Sequence, residues 1–132
     1  MQKGGMLNSA IAKVLADLGH TDTIVIGDCG LPVPKGVAKI DLALKPGTPS
    51  FMEVVEEVAK NMVIEKVEIA AEMEEKNPAV FAAMKKLFPQ EQWLLAPNHE
   101  AFKAETAKAK VVIRTGEITP YANVILHSNV FF

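Results

Sequence analysis

The stretch NSAIAKVLADLGHTDTIVIGDCGLPVPKG, residues 8–36, changes its periodicity once, and that change decides the fold. In its first half Ile11, Val14, Leu15 and Leu18 recur at helical spacing behind a capping Asn8 or Ser9, and Gly19 stops the helix. From Thr23 to Gly27 the run TIVIG is continuous and largely β-branched, which is the pattern of a buried strand ending at Asp28. The CGLPVPKG that follows holds two prolines and two glycines, so it is a fixed loop.

The same alternation continues outward. Ala38 to Leu44 (AKIDLAL) reads as a strand and Lys45 to Pro49 as a turn. Ser50 caps a helix with Phe51, Val54, Val55, Val58 and Met62 on one face. Ile64 to Ala71 reads as a strand, although AAEMEEK (residues 70–76) also suits a helix. Asn77-Pro78 supplies an N-cap and a first-turn proline for a helix that turns Phe81, Met84, Leu87 and Phe88 inward. Gln92 to Ala96 is a strand candidate, Asn98 caps a helix over His99 to Lys108, and Lys110 to Arg114 is a further strand. A turn at Thr115 to Glu117 precedes a last strand, Asn123 to His127. Helices and short apolar strands thus alternate along one domain, residues 1–132. They predict an α/β fold with three layers, α/β/α, around a mixed, mostly parallel sheet.

Composition sets limits on function. The chain has 132 residues, is 49% hydrophobic, and has a formal charge of −2. A single core of that size buries roughly two-thirds of the unfolded surface without a metal or disulfide staple. The one cysteine, Cys29, excludes an internal disulfide and a two-Cys zinc site, and points to a reducing cytosol. One arginine, Arg114, and a slightly acidic balance argue against nucleic-acid binding. No apolar run approaches the ~18 residues of a membrane span, and the N-terminal residues lack an apolar signal core. P-loop, GxGxxG, GxSxG and HExxH motifs are all absent from the sequence.

Ligands of open α/β sheets gather outside the carboxyl ends of strands. The polar residues expected at element ends are Asp28, His99, Arg114 to Glu117, Tyr121 and Asn123, with His20 just past the first helix. Each also has a structural explanation. His20 can bond the last carbonyls of the helix, Asp28 can form an Asx turn, and His99 can be a solvated loop histidine. At a helix start an imidazolium opposes the dipole, so His99 is expected to be neutral. His127 falls in a strand and reads as structural. Cys29 beside Asp28 is a poor nucleophile, because a carboxylate neighbour raises a thiol's pKa. Glu65, Glu68, Glu72, Glu74, Glu75 and Glu117 read as a solvated charge face. His99 and Lys103, spaced i and i+4, share a helix face. Together with Tyr121 and Asn123, on one side if that segment is extended, they offer the mixed donors and acceptors a neutral sugar needs.

Three motifs then carry a resemblance. GxLNSxIAKVLADLGHTD, IVIGDCGLPVPKGVAKIDLAL and VVIRTGEITPYANVIL resemble the D-ribose pyranase family, which is related to the L-fucose mutarotases. The likeness runs from Gly5 to Val130 and is weaker from Glu53 to Gln92. It implies a cytoplasmic, cofactor-independent isomerase that interconverts the pyranose and furanose forms of D-ribose, with no metal. It also implies a ring-shaped homo-oligomer, a decamer of two stacked pentamers with sites between subunits. By motif, His20 of GHTD resembles the catalytic proton donor and Asp28 a substrate-binding carboxylate. His99 and Lys103 of the H-x-x-F-K segment, and Tyr121, Ala122 and Asn123 of PYAN, resemble further sugar contacts. Two other readings remain beside it: an anomeric mutarotase for fucose or a related sugar, and a non-catalytic sugar-binding or transport-associated module. The terminal Val130-Phe131-Phe132 is expected to be buried, against a neighbouring subunit if not within the chain.

Overall fold

The computed structural model describes residues 1–132. Its helices begin where the sequence places their caps. The Asn8 side chain accepts from Ile11 N–H to open α1 (Ser9–Asp17), and Ser50 accepts from Glu53 N–H to open α2 (Phe51–Ala59). Asn77 and Pro78 open α4 (Pro78–Leu87), and Asn98 opens α5 (His99–Thr106). The ambiguous segment divides, with β3 (Ile64–Ala70) running into the short α3 (Glu72–Lys76), whose Met73 is fully buried. The remaining strands are β1 (Thr23–Gly27), β2 (Ala38–Asp41), β4 (Trp93–Ala96), β5 (Val111–Arg114) and β6 (Val124–Ser128). β2 stops short of the expected Leu44 because the Asp41 carboxylate turns back to accept Ala43 N–H at 3.0 Å.

All six strands form one sheet in the order β2-β5-β1-β6-β3-β4. The pairs β2–β5, β5–β1 and β3–β4 are parallel; β6 alone runs opposite, antiparallel to both β1 and β3. The mixed, mostly parallel sheet therefore stands, with its one reversed strand near the centre. The carboxyl ends of β1, β2, β3, β4 and β5 share one edge with the start of β6.

Alternation along the strands divides the core in two. Ile24, Ile26, Ile113 and Leu126 face α1, α2 and α4, whose Ile11, Phe51, Val55, Val58 and Met84 complete the larger core. Val25, Val112 and Ile125 face the other way, against Phe102 of α5 and Leu31 of the proline-rich loop. The three layers are thus unequal, with a single helix covering the second face. Two polar pairs occupy that face: Glu68 Oε2 lies 3.0 Å from His127 Nε2, and Arg114 holds the Asp41 carboxylate at 3.0 Å. The expected burial of the chain's last residues does not occur within the chain, where Phe131 and Phe132 are fully exposed. No helix is long and apolar enough to cross a membrane.

Candidate active site

The carboxyl-end edge collects most of the expected residues because β6 returns antiparallel beside β1. Ile26 pairs with Val124, so Asp28, just past β1, meets Asn123, just before β6. Their contact is reciprocal. Asp28 N–H donates to Asn123 Oδ1 at 2.9 Å, and Asn123 Nδ2 donates to Asp28 Oδ2 at 3.0 Å. The other carboxylate oxygen accepts Gly30 N–H at 2.9 Å, so the Asx turn expected of Asp28 is present alongside its place in the site. Thr115, fully buried, fixes the strand end behind it: its N–H and its hydroxyl both donate to Gly27 O, at 3.0 and 2.8 Å.

Asp28, His99, Lys103 and Tyr121 line one open cleft of about 390 Å³, walled by Leu31 and Pro32. That volume lies in the range of small-ligand sites. His99 and Lys103 share the face their spacing predicted, and Lys103 Nζ is held 2.8 Å from Glu100. The His99 ring stacks over Phe102, centroids 6.1 Å apart, and meets the Tyr121 ring edge-on at 5.2 Å. Tyr121 differs from expectation in its backbone. It takes a left-handed φ of 57°, and Asn123 N–H bonds back to Tyr121 O at 2.9 Å. A tight turn, not strand alternation, therefore aims its ring. Positive φ is uncommon for a bulky residue and persists where surrounding contacts impose it. Asn77 holds the chain just ahead of it, its Nδ2 donating to Thr119 Oγ1 and Pro120 O at 2.8 and 2.7 Å.

The remaining motif residues are placed differently. The Ala122 side chain is buried in the larger core, so only its backbone can face a ligand. Asn123 is 2% exposed and its amide is spent on Asp28, which it positions. His20 lies at the opposite edge of the sheet, in the Gly19–Asp22 turn closed by Asp22 N–H to Gly19 O at 3.2 Å. It is exposed and makes no hydrogen bond, so it does not cap α1, whose end is closed instead by Leu18 N–H to Leu15 O. β1 stands between His20 and Asp28, about 13 Å of extended chain before the flanking residues are added.

Three of the glutamates expected in solvent are not there. Glu68 pairs with His127. Glu72 reaches α5, where its Oε1 accepts His99 N–H at 2.9 Å. Glu117 bridges the site loop to α2, accepting Phe51 N–H at 3.0 Å and the Thr119 hydroxyl at 2.8 Å. Partial burial alone would raise the Glu117 carboxyl; the Phe51 and Thr119 donors outweigh it and hold the group below its ordinary value of 4.5. A carboxyl depressed in this way stabilises the fold above the ordinary value, and that contribution is lost as pH falls through the folded value. Glu117→Gln is therefore expected to cost about 1 kcal/mol at pH 7 after allowing for solvent screening, or roughly 3–5 °C in Tm. In melting curves from pH 7 to pH 3 the gap to wild type should close below pH 4.5. A gap independent of pH would refute the charged role.

Fold and cleft together define a small α/β protein with an open, partly polar cleft of small-ligand size at the carboxyl ends of its strands, and no three His, Cys, Asp or Glu side chains converge there as a metal-ligand set. The chain belongs to the RbsD / FucU transport protein family, which it matches over residues 1–131. It is 59% identical to the D-ribose pyranase of Exiguobacterium sibiricum and 61% identical to that of Bacillus licheniformis, with 100% of both chains covered in each case. Among solved structures it resembles Bacillus subtilis RbsD complexed with D-ribose, at a TM-score of 0.97 and 53% identity over 100% of both chains. The fucose mutarotase of Streptococcus pneumoniae, in complex with L-fucose, shares the fold at a TM-score of 0.80 and 20% identity, over 96% of this chain and 95% of that one.

Proposed function

We infer that this protein is a D-ribose pyranase, an isomerase that interconverts the pyranose and furanose forms of D-ribose. The observation that carries this is the cleft of Asp28, His99, Lys103 and Tyr121, set in a chain more than half identical, end to end, to pyranases and to a ribose complex.

Exchange between ring forms passes through the open-chain aldehyde. A base takes the anomeric hydroxyl proton as the carbonyl forms, and an acid protonates the departing ring oxygen. Closure through a different hydroxyl reverses both transfers. Imidazole, with a free pKa near ~6.5, serves either role at neutral pH, and such transfer is worth roughly 10²- to 10⁴-fold. Two histidines and a carboxylate suffice for a reaction that already proceeds unaided. In our assignment His20 is the proton donor, and Asp28, held by Asn123, orients the sugar. His99, Lys103, Tyr121 and the backbone around Ala122 hold its hydroxyls.

His20 reaches such a site only from a second copy of the chain, because β1 separates it from Asp28 in its own subunit. This supports a ring-shaped homo-oligomer, a decamer of two pentamers, with sites shared between neighbours; the exposed Phe131 and Phe132 suit burial in such contacts. We place the enzyme in the cytoplasm, consistent with its one free cysteine.

NMR saturation transfer on D-ribose tests the activity. Added protein should speed exchange between pyranose and furanose signals by at least tenfold, and L-fucose run in parallel should respond far less. Faster exchange on fucose than on ribose would instead favour an anomeric mutarotase. Calorimetric ribose binding with no change in exchange would favour a sugar-binding module.

A further inference from the structure

His99 and Glu72 already touch through the α5 backbone, since Glu72 Oε1 accepts His99 N–H at 2.9 Å. Two further atoms of the same pair, Glu72 Oε2 and His99 Nδ1, are sealed from solvent and have no hydrogen-bond partner. They are the only buried side-chain polar atoms in the protein left without one. Buried polar atoms are costly unless paired, and these two are complementary. A carboxylate only accepts, so a pairing of the two requires Nδ1 to be the donor.

From this we propose that Glu72 is a positioning residue that fixes the tautomer of His99, keeping the proton on Nδ1 and presenting Nε2 to the cleft as an acceptor. The rest of the surroundings agree. His99 sits at the first position of α5, where Glu72 caps its backbone N–H and so holds the carboxylate beside the ring. The ring itself lies between the Phe102 and Tyr121 rings, stacked on the first and roughly perpendicular to the second, so its plane is already set and Glu72 has only the tautomer to select. With Asp28 accepting and Lys103 donating, an accepting Nε2 gives the cleft a second group that takes a sugar hydroxyl proton into a hydrogen bond. A carboxylate that orients a metal-bound histidine from behind typically matters by roughly 10- to 100-fold, and the same logic of tautomer choice applies here.

Only the effect on catalysis rests on the ribose reading; the tautomer itself can be read without any activity. Glu72→Gln keeps an oxygen to cap His99 N–H but offers Nδ1 a donor in place of an acceptor. Nitrogen-15 NMR of the labelled imidazole should show the Nδ1–H form in wild type and the Nε2–H form in Glu72→Gln. Glu72→Ala, which removes both groups, should give a mixture of the two. Ribose exchange should fall roughly tenfold in kcat/KM for Glu72→Gln. An unchanged tautomer in both variants overturns the proposal and leaves Glu72 as a helix cap. A switched tautomer with unchanged exchange, in a wild type that does catalyse it, overturns the role of Nε2 as an acceptor for substrate. A switched tautomer in a wild type with no exchange activity upholds the Glu72–His99 link and refutes the ribose reading instead.

Discussion

Purified His20→Ala and Asp28→Asn proteins, each nearly inactive, should regain about one quarter of wild-type ribose exchange when unfolded together in equal amounts and refolded. The fraction follows from the geometry. A site that draws His20 from one subunit and Asp28 from another receives both intact residues in one random pairing out of four. A site built within one chain never does. His20→Ala alone should lose roughly 10²- to 10⁴-fold, the usual weight of a proton-transfer group, and Asp28→Asn loses the carboxylate that orients the sugar. His20 makes no hydrogen bond and is exposed, so its removal leaves the fold unharmed. Asp28→Asn retains an oxygen for Gly30 N–H and is nearly isosteric, which limits its structural cost. Mixtures that stay as inactive as their components, although light scattering shows mixed oligomers, would refute the shared site. A wild type that elutes as a monomer would refute it more directly.

The largest stability loss is expected at Gly116. A Cβ built there would lie 2.5 Å from Thr48 C and 2.6 Å from Thr48 N, and closer still to Thr48 O. These are backbone atoms, so no side chain can swing aside. The strand-end loop and the turn beneath it are also laced together, with Gly47 N–H donating to Gly116 O at 2.6 Å and Gly116 N–H to Pro49 O at 2.8 Å. Overpacking of this kind costs about 3 kcal/mol or more, so Gly116→Ala should melt about 10 °C below wild type. Exchange activity should fall with it, because Thr115 and Glu117 on either side brace Gly27 and α2. Gly4→Ala, whose Cβ would meet nothing within 4 Å, is the control and should melt like wild type. A Gly116→Ala protein melting within two degrees of its parent would show that the two loops separate freely.

The elements were legible wherever the signal was local. Asn8, Ser50, Asn77 and Asn98 each bond a backbone N–H three residues on, a contact that the neighbouring residues alone specify. Long-range pairing was not legible. Asn77 reads as a helix cap, but its amide also holds the Thr119 hydroxyl and the Pro120 carbonyl, 42 and 43 residues away. Glu72 looked like one more charge in a run of glutamates. Its place becomes clear only once β3 and β4 are known to run parallel with Ala70 beside Ala96, which carries Glu72 and His99 to the same edge. The placement of His20 was within reach, since a five-residue strand between His20 and Asp28 already puts them at opposite edges. The period-2 expectation for Tyr121 and Asn123 failed because Tyr121 sits in a left-handed turn ahead of β6, a conformation no side-chain pattern announces.

The reversed central strand has a consequence for how the chain matures on the ribosome. Without β6 the sheet is two separate pieces, β2-β5-β1 and β3-β4, each showing an open inner edge. Such edges invite pairing with other chains. They can be joined only after residues 124–128 have been made and have left the exit tunnel. The same late strand brings Asn123 to Asp28. A nascent chain therefore acquires its ligand cleft at the moment its two inner edges close, and no partly made chain carries one without the other.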